Sequence, residues 1–134
     1  ENYEKLAETM EKTKDNDKMV LTLAISYSSR WEILNAVKSI SEKVEKKELK
    51  IGDIDDEVFN TFLSTFPMPD PELLIRTSGE HRISNYLLWQ IAYSELYFTD
   101  VLWPDFRKEE LYNAIVQYQN RERRFGMTSD QLQS

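Results

Sequence analysis

An apolar run from Met19 to Tyr27 leads without a spacer into a helix start, and this succession constrains the fold more than any other feature. A run of this kind predicts a strand that is buried on both faces. The following segment, Ser29-Arg30-Trp31-Glu32, fits a capping box, and apolar residues then recur at helical spacing to about Lys47. A strand followed directly by a helix predicts a βα unit.

The rest of the chain divides into two more predicted strands and several predicted helices. We predict strands over 73–76 and 95–98. Apolar periodicity predicts helices over 1–13, from 52 to about 66, over 87–93 and over 108–124. Strands separated by helices imply an α/β fold with a parallel sheet and surrounding helices, and 134 residues suit one domain.

The composition excludes several classes of protein. The chain has no cysteine, so it has neither a disulfide framework nor a thiolate metal site or nucleophile. Its mean hydropathy is −0.61. No apolar run approaches the roughly 20 residues of a membrane-spanning helix. We therefore expect a cytoplasmic location, with any membrane contact peripheral.

Charge is distributed unevenly along the chain. Its 17 basic and 24 acidic residues give a formal net charge of −7, which disfavours a nucleic-acid partner. The segment 51–100 carries nine acids and only two bases, Arg76 and Arg82. These arginines are either ordinary ion-pair partners of neighbouring acids or ligands of a small anion bound among carboxylates.

Two polar loops follow predicted strands, one at 26–30 and one at 76–85. Parallel sheets bind ligands beyond the carboxyl ends of their strands, where both loops would lie. Backbone N–H groups at a helix N-terminus and arginine side chains both favour phosphate oxygens. A diphosphate is therefore the expected class of ligand.

The second of these loops also carries a family resemblance. The segment 76–90, Arg-Thr-Ser-Gly-Glu-His-Arg-Ile-Ser-Asn-Tyr-Leu-Leu-Trp-Gln, closely resembles the signature of cis-prenyltransferases, the undecaprenyl diphosphate synthase family. The resemblance continues through 93–100, 102–106 and 120–126. The loop 26–30, Ser-Tyr-Ser-Ser-Arg, resembles the family's Asn-Tyr-Gly-Gly-Arg more loosely, with serines where glycines are usual.

The resemblance implies an Mg²⁺-dependent transferase that condenses isopentenyl diphosphate repeatedly onto an allylic diphosphate such as farnesyl diphosphate. The product would be undecaprenyl or a similar polyprenyl diphosphate, and the enzyme a cytosolic, membrane-associated homodimer with a hydrophobic tunnel. Arg76, Arg82 and Ser84 match positions that bind the diphosphate of isopentenyl diphosphate, and Glu95 matches a carboxylate that ligates Mg²⁺. These residue types suit those roles.

One motif of the family has no match in this sequence. Family members carry an N-terminal Asp-Gly-Asn-Gly-Arg-Trp motif that supplies a metal-binding Asp and the cradle for the allylic diphosphate. We therefore expect residues 1–134 to form a single domain or the C-terminal part of one, and to be inactive alone. Two other functions stay open: a non-catalytic partner subunit of a synthase, and a generic anion-binding α/β module.

Other candidate residues have simpler interpretations. Glu95 could be a solvent-facing strand carboxylate. The lone histidine, His81, suits a hydrogen-bonding role in its loop, and Arg124 is a secondary candidate near the site. We expect the aromatic residues to belong to the core and to a dimer interface over 87–106. These residues are Trp89, Tyr93, Tyr97, Phe98 and Trp103.

Overall fold

The computed structural model describes residues 2–121 as four helices and two strands joined by loops. Helices α1 and α2 span Asn2–Thr13 and Ser29–Glu45, and the short helix α3 spans Asp56–Asn60. Strands β1 and β2 span Leu73–Arg76 and Glu95–Phe98, and helix α4 spans Lys108–Gln119. Single 3₁₀ turns occupy Ile51–Asp53 and Trp103–Asp105.

Strands β1 and β2 form a parallel pair, as predicted. Leu73 lies opposite Glu95, and Arg76 lies opposite Phe98. The backbone N–H of Glu95 donates to the carbonyl of Glu72, and that of Thr99 donates to the carbonyl of Arg76. Both strands therefore end at the same edge of the sheet, where the second polar loop begins.

The core is small and partly polar. Ser29, Glu32 and Gln90 are buried together with six apolar side chains. The buried apolar residues are Ala36, Ile40, Leu63, Leu74, Ile91 and Ala114.

No helix within residues 2–121 is long and apolar enough to cross a membrane.

The predicted first strand is wrong. Residues 19–27 have no regular secondary structure, and the side chains of Val20 and Ile25 are 83% and 68% exposed. A strand exists only where a neighbour completes its hydrogen-bond ladder. In the described part of the chain the sheet consists of β1 and β2 alone, so this apolar run has no neighbouring strand.

Two helix predictions need correction, and a third is confirmed in part. The helix predicted from Gly52 to about 66 is reduced to α3, which begins after Asp55, whose carboxylate accepts from the N–H of Val58. The segment 87–93 forms successive turns, not a helix. Helix α4 is confirmed as far as Gln119, and the predicted continuation beyond residue 121 lies outside the described residues.

Hydrogen exchange should distinguish the unpaired apolar run from the sheet. Because amides without a ladder partner open at little cost, those of residues 19–25 should exchange almost as fast as in a free peptide. The amides of Glu95 and Thr99, which donate across the sheet, serve as protected internal controls. Protection of residues 19–25 equal to that of the two controls would contradict the structure.

Candidate functional site

The two polar loops meet, although the strand predicted before the first loop does not form. The backbone carbonyl of Asn85 accepts from the N–H of Ser29 at 3.0 Å. Its side-chain Oδ1 accepts from the N–H of Arg30 at 2.9 Å, and its Nδ2 donates to Ser28 Oγ at 2.8 Å. Asn85 therefore joins the second loop, residues 76–85, to the first, residues 26–30. Sequence analysis gave it no role, because the partners are more than fifty positions apart.

The N-terminus of helix α2 is not free to bind an anion. The N–H groups of Ser29 and Arg30 donate to Asn85. Those of Trp31 and Glu32 donate to the side chain and the carbonyl of Ser28. A helix start leaves four N–H groups without an intrahelical partner, here those of residues 28–31, and three of them are occupied by Asn85 and by the side chain of Ser28. The cap is thus Ser28 and not the predicted Ser29.

Arg76 lies at the carboxyl end of β1, where a ligand is expected. Its Nε is buried and has no hydrogen-bond partner among the described residues. A buried donor without an acceptor costs roughly 1–3 kcal/mol, so a bound anion that accepts from it would stabilise the site. This is the observation that most favours an anion ligand.

Arg82 and Ser84 follow in the second loop. The guanidinium of Arg82 is 70% exposed and forms an ion pair with Glu80, at 2.7 Å between Nη2 and Oε2. Such exposed pairs contribute about 0–1 kcal/mol, so a diphosphate can displace Glu80 at little cost. Ser84 is exposed and its φ is 54°, a left-handed conformation that is uncommon outside glycine.

Glu95 lies at the opposite end of the sheet from Arg76. It begins β2 opposite Leu73, so three residues of strand, about 10 Å, separate its level from that of Arg76. Its Oε2 accepts from Nη1 of Arg121 at 2.8 Å.

The described residues contain no group of three or more His, Asp or Glu side chains that could hold a metal. Mg²⁺ commonly takes one or two protein carboxylates and completes its shell with water and substrate phosphates. Glu95 therefore fits as one ligand of Mg²⁺ and no more. The structure does not bring this carboxylate to the arginine loop.

The aromatic candidates do not form one cluster. Trp89 packs against Phe59, and His81 packs against Phe98 at 5.3 Å between ring centres. Tyr93 and Trp103 are 75% and 71% exposed, so neither belongs to the core. Arg124 lies outside the described residues.

A buried carboxylate, that of Glu32, connects the first loop to two distant segments of the chain. Glu32, on the first turn of α2, accepts from Tyr27 Oη at 2.5 Å and from Gln90 Nε2 at 3.1 Å. Its other oxygen accepts from the N–H of Ser64 at 2.8 Å. Gln90 also donates to Thr65, while its own Oε1 is buried without a partner among the described residues. The capping-box pattern indicates only a local role for Glu32, and no local pattern predicts this network because Ser64 and Gln90 are distant in the sequence.

The network shifts two pKa values in opposite directions. Burial raises the pKa of the Glu32 carboxyl, but hydrogen bonds from Tyr27, Gln90 and Ser64 outweigh it and hold that pKa below 4.5. Burial and the hydrogen bond to Glu32 raise the pKa of Tyr27 to about 12. Glu32 is therefore ionised and Tyr27 neutral at pH 7.

A cavity of about 490 Å³ lies beside the first loop. Tyr27 and Tyr86 line it and meet edge to face at 5.6 Å between ring centres. Most of its lining is apolar, which suits a hydrocarbon more than a charged group. Its apolar residues include Leu23, Ile25, Trp31, Met68 and Leu87.

Solved structures identify the fold as that of prenyl diphosphate synthases. Lavandulyl diphosphate synthase from Lavandula x intermedia, solved with dimethylallyl diphosphate, matches 92% of this chain with a TM-score of 0.86 and 38% identity. A structure described as a probable undecaprenyl diphosphate synthase, from Campylobacter jejuni, matches 92% with a TM-score of 0.74 and 39% identity. The matches cover 53% and 55% of those chains.

Curated relatives agree with the structural neighbours. The isoprenyl transferase of Chlorobaculum tepidum is 54% identical over 129 residues, which cover 96% of this chain and 49% of that protein. The isoprenyl transferase of Bacillus subtilis is 51% identical over 121 residues, covering 90% of this chain and 46% of its own length. The chain spans about half the length of the curated relatives it matches.

The family model described as "Putative undecaprenyl diphosphate synthase" matches residues 1–126. The chain belongs to this prenyltransferase family, whose members are transferase enzymes, as the resemblance implied.

Substituting Glu32 should expose its role in acid stability. In Glu32→Gln an amide nitrogen replaces one acceptor and faces a donor, so the free energy of unfolding at pH 7 should fall by about 1.5–3 kcal/mol. Because folding lowers the pKa of Glu32, its carboxylate makes its full contribution to the stability of the folded chain above pH 4.5. This contribution is lost as the pH falls through the pKa that Glu32 has in the folded chain.

Urea unfolding followed by circular dichroism from pH 7 to pH 3 measures this effect. The difference between the unaltered chain and Glu32→Gln should shrink toward pH 3. Glu42→Gln, on the exposed face of the same helix, is the matched control and should change stability little. If the difference in free energy of unfolding between the two proteins is constant from pH 7 to pH 3, the charge of Glu32 does not stabilise the fold.

Proposed function

We propose that this chain binds isopentenyl diphosphate as part of a cis-prenyltransferase that makes undecaprenyl or a similar polyprenyl diphosphate. Arg76, Arg82 and Ser84 bind its diphosphate, and the acceptor is an allylic diphosphate such as farnesyl diphosphate. The family match and the relatives named isoprenyl transferase support prenyl transfer as the reaction class. The enzyme acts as a cytoplasmic homodimer with peripheral membrane contact.

The unpartnered Nε of Arg76 is the single observation that carries this proposal. The guanidinium stands at the carboxyl end of a parallel strand, the place where such sheets bind ligands. Two oxygens of a diphosphate can accept from Nε and Nη in parallel, and no carboxylate within residues 2–121 accepts from Nε. The apolar cavity beside the first loop offers space for the hydrocarbon part of a prenyl substrate.

Charge compensation explains why Mg²⁺ belongs to the proposal. The net charge of −7 repels a free diphosphate, and two arginines only partly offset that repulsion. When bound, Mg²⁺ neutralises diphosphate charge. Glu95 would hold the ion through one carboxylate oxygen, the one that accepts from Arg121 in this structure.

Exposed aromatic residues support the homodimer. Tyr93 and Trp103 present large apolar rings to solvent within the segment 87–106. Burying such rings against a second copy is favourable at about 25 cal/mol per Å². A non-catalytic partner subunit would use the same surface. It would not need Arg76, Arg82 and Ser84 together in one loop.

Arg82→Ala tests the diphosphate assignment. Losing a charge-assisted hydrogen bond of about 1.5–3 kcal/mol should weaken isopentenyl diphosphate binding by about ten- to a hundredfold. Isothermal titration with Mg²⁺ present measures the dissociation constant. Lys38→Ala, which removes one exposed positive charge from helix α2, is the matched control and should leave binding within about twofold of the original value.

If Arg82 serves only its surface pair with Glu80, the result will differ. The variant would then change stability by under about 1 kcal/mol and bind isopentenyl diphosphate as before. That outcome would refute the diphosphate assignment.

Glu95→Gln tests the metal assignment separately. If this carboxylate ligates Mg²⁺, the variant should need several-fold more Mg²⁺ for half-maximal binding of isopentenyl diphosphate. Arg121→Gln is the informative companion, because it removes the competing guanidinium and should lower the Mg²⁺ requirement. An unchanged Mg²⁺ dependence in Glu95→Gln would leave this residue with a structural role only.

A further inference from the structure

Three polar atoms of Asn85 form hydrogen bonds with the start of helix α2. Its carbonyl and its Oδ1 accept from the N–H groups of Ser29 and Arg30, and its Nδ2 donates to Ser28 Oγ. The partnership fixes the amide orientation, because the N–H of Arg30 requires an acceptor. Each of these three atoms of Asn85 therefore already has a partner in the protein.

The backbone beside Asn85 is held in an uncommon conformation. Ser84, Asn85 and Leu87 have φ values of 54°, 61° and 47°, all in the left-handed region. Asparagine tolerates this region better than most residues, whereas serine and leucine do not. Such a segment persists only where surrounding contacts determine it. The hydrogen bonds of Asn85 and that from the N–H of Leu88 to Ser29 Oγ, at 2.9 Å, are the contacts that do so.

We propose that Asn85 is the positioning residue for diphosphate binding, and this role rests on the function proposed above. It ties the segment 82–84 to the buried end of helix α2, so that Arg82 and Ser84 face the ligand without first being ordered. Ordering an unrestrained loop costs conformational entropy at the moment of binding, and a loop fixed in advance avoids that cost. Asn85 acts through its neighbours and does not contact the diphosphate.

Asn85→Gly is the sharpest substitution for this test. Glycine adopts the left-handed conformation without penalty, so the variant removes the side-chain clamp without straining the backbone. Inorganic pyrophosphate with Mg²⁺ is the probe, and isothermal titration gives its affinity. Losing the two side-chain hydrogen bonds should weaken pyrophosphate binding by about five- to thirtyfold.

A double variant separates positioning from general destabilisation. If Asn85 acts through Arg82, then adding Asn85→Gly to Arg82→Ala should weaken binding much less than it does in the unaltered chain. Asn35→Gly, an exposed change within helix α2, controls for lost stability and should leave pyrophosphate affinity unchanged. Asn85→Asp keeps an acceptor for the N–H of Arg30 and should restore part of the affinity.

Amide hydrogen exchange checks the clamp without any ligand. In Asn85→Gly the amide of Arg30 should lose protection, because its acceptor is a side-chain oxygen. The amide of Ser29 should lose less, because its acceptor is the backbone carbonyl, which glycine retains. Equal protection of Arg30 in both proteins would overturn the clamp.

The outcomes distinguish this role from the proposed function. If Arg82→Ala weakens pyrophosphate binding and Asn85→Gly does not, the positioning role fails while the diphosphate site stands. Independent, additive effects of the two substitutions would overturn it as well. If the unaltered chain binds no pyrophosphate, or if Arg82→Ala has no effect, the proposed function fails and the positioning role fails with it.

Discussion

The buried carboxylate of Glu32 is the interaction on which the rest of the structure depends. It joins four segments of the chain: the first loop through Tyr27, helix α2, the turn at Ser64, and the segment of Gln90. A buried charge is tolerated only when hydrogen bonds replace its hydration, and here three donors do so. Few apolar residues are buried within residues 2–121, so this hydrogen-bond network holds together segments that an apolar core would otherwise join.

Asn85 makes a second set of hydrogen bonds, which joins the second loop to the start of helix α2. Glu32 holds the first loop through its hydrogen bond with Tyr27. Asn85 holds the start of helix α2 through its hydrogen bonds with Ser28 and Arg30. Three N–H groups at the start of the helix are occupied by these hydrogen bonds. The proposed diphosphate site therefore relies on the side chains of the second loop, which Asn85 joins to the helix.

The sequence predicted what short-range patterns determine and missed what distant partners determine. Helices α2 and α4 and both strands were predicted because their apolar spacing is local. The run 19–27 was predicted as a strand on composition alone, but a strand also needs a neighbour. Arg76, Arg82 and Ser84 are proposed as diphosphate ligands from a local motif, and that assignment stays a prediction. Asn85 and Gln90 were missed because their partners lie more than fifty positions away.

The strained backbone is concentrated at the same place as the candidate site. In residues 2–121, left-handed φ values occur at Lys47, which follows helix α2, and otherwise only in or beside the two loops. Each such non-glycine residue costs about 1 kcal/mol or more. At residues 84–87 the hydrogen bonds of Asn85 and of Leu88 N–H offset part of that cost. Strain of this kind lets a loop hold charged groups in a conformation that their own preferences do not favour. The residues with left-handed φ values in or beside the two loops are Ser26, Ser78, Gly79, Ser84, Asn85 and Leu87.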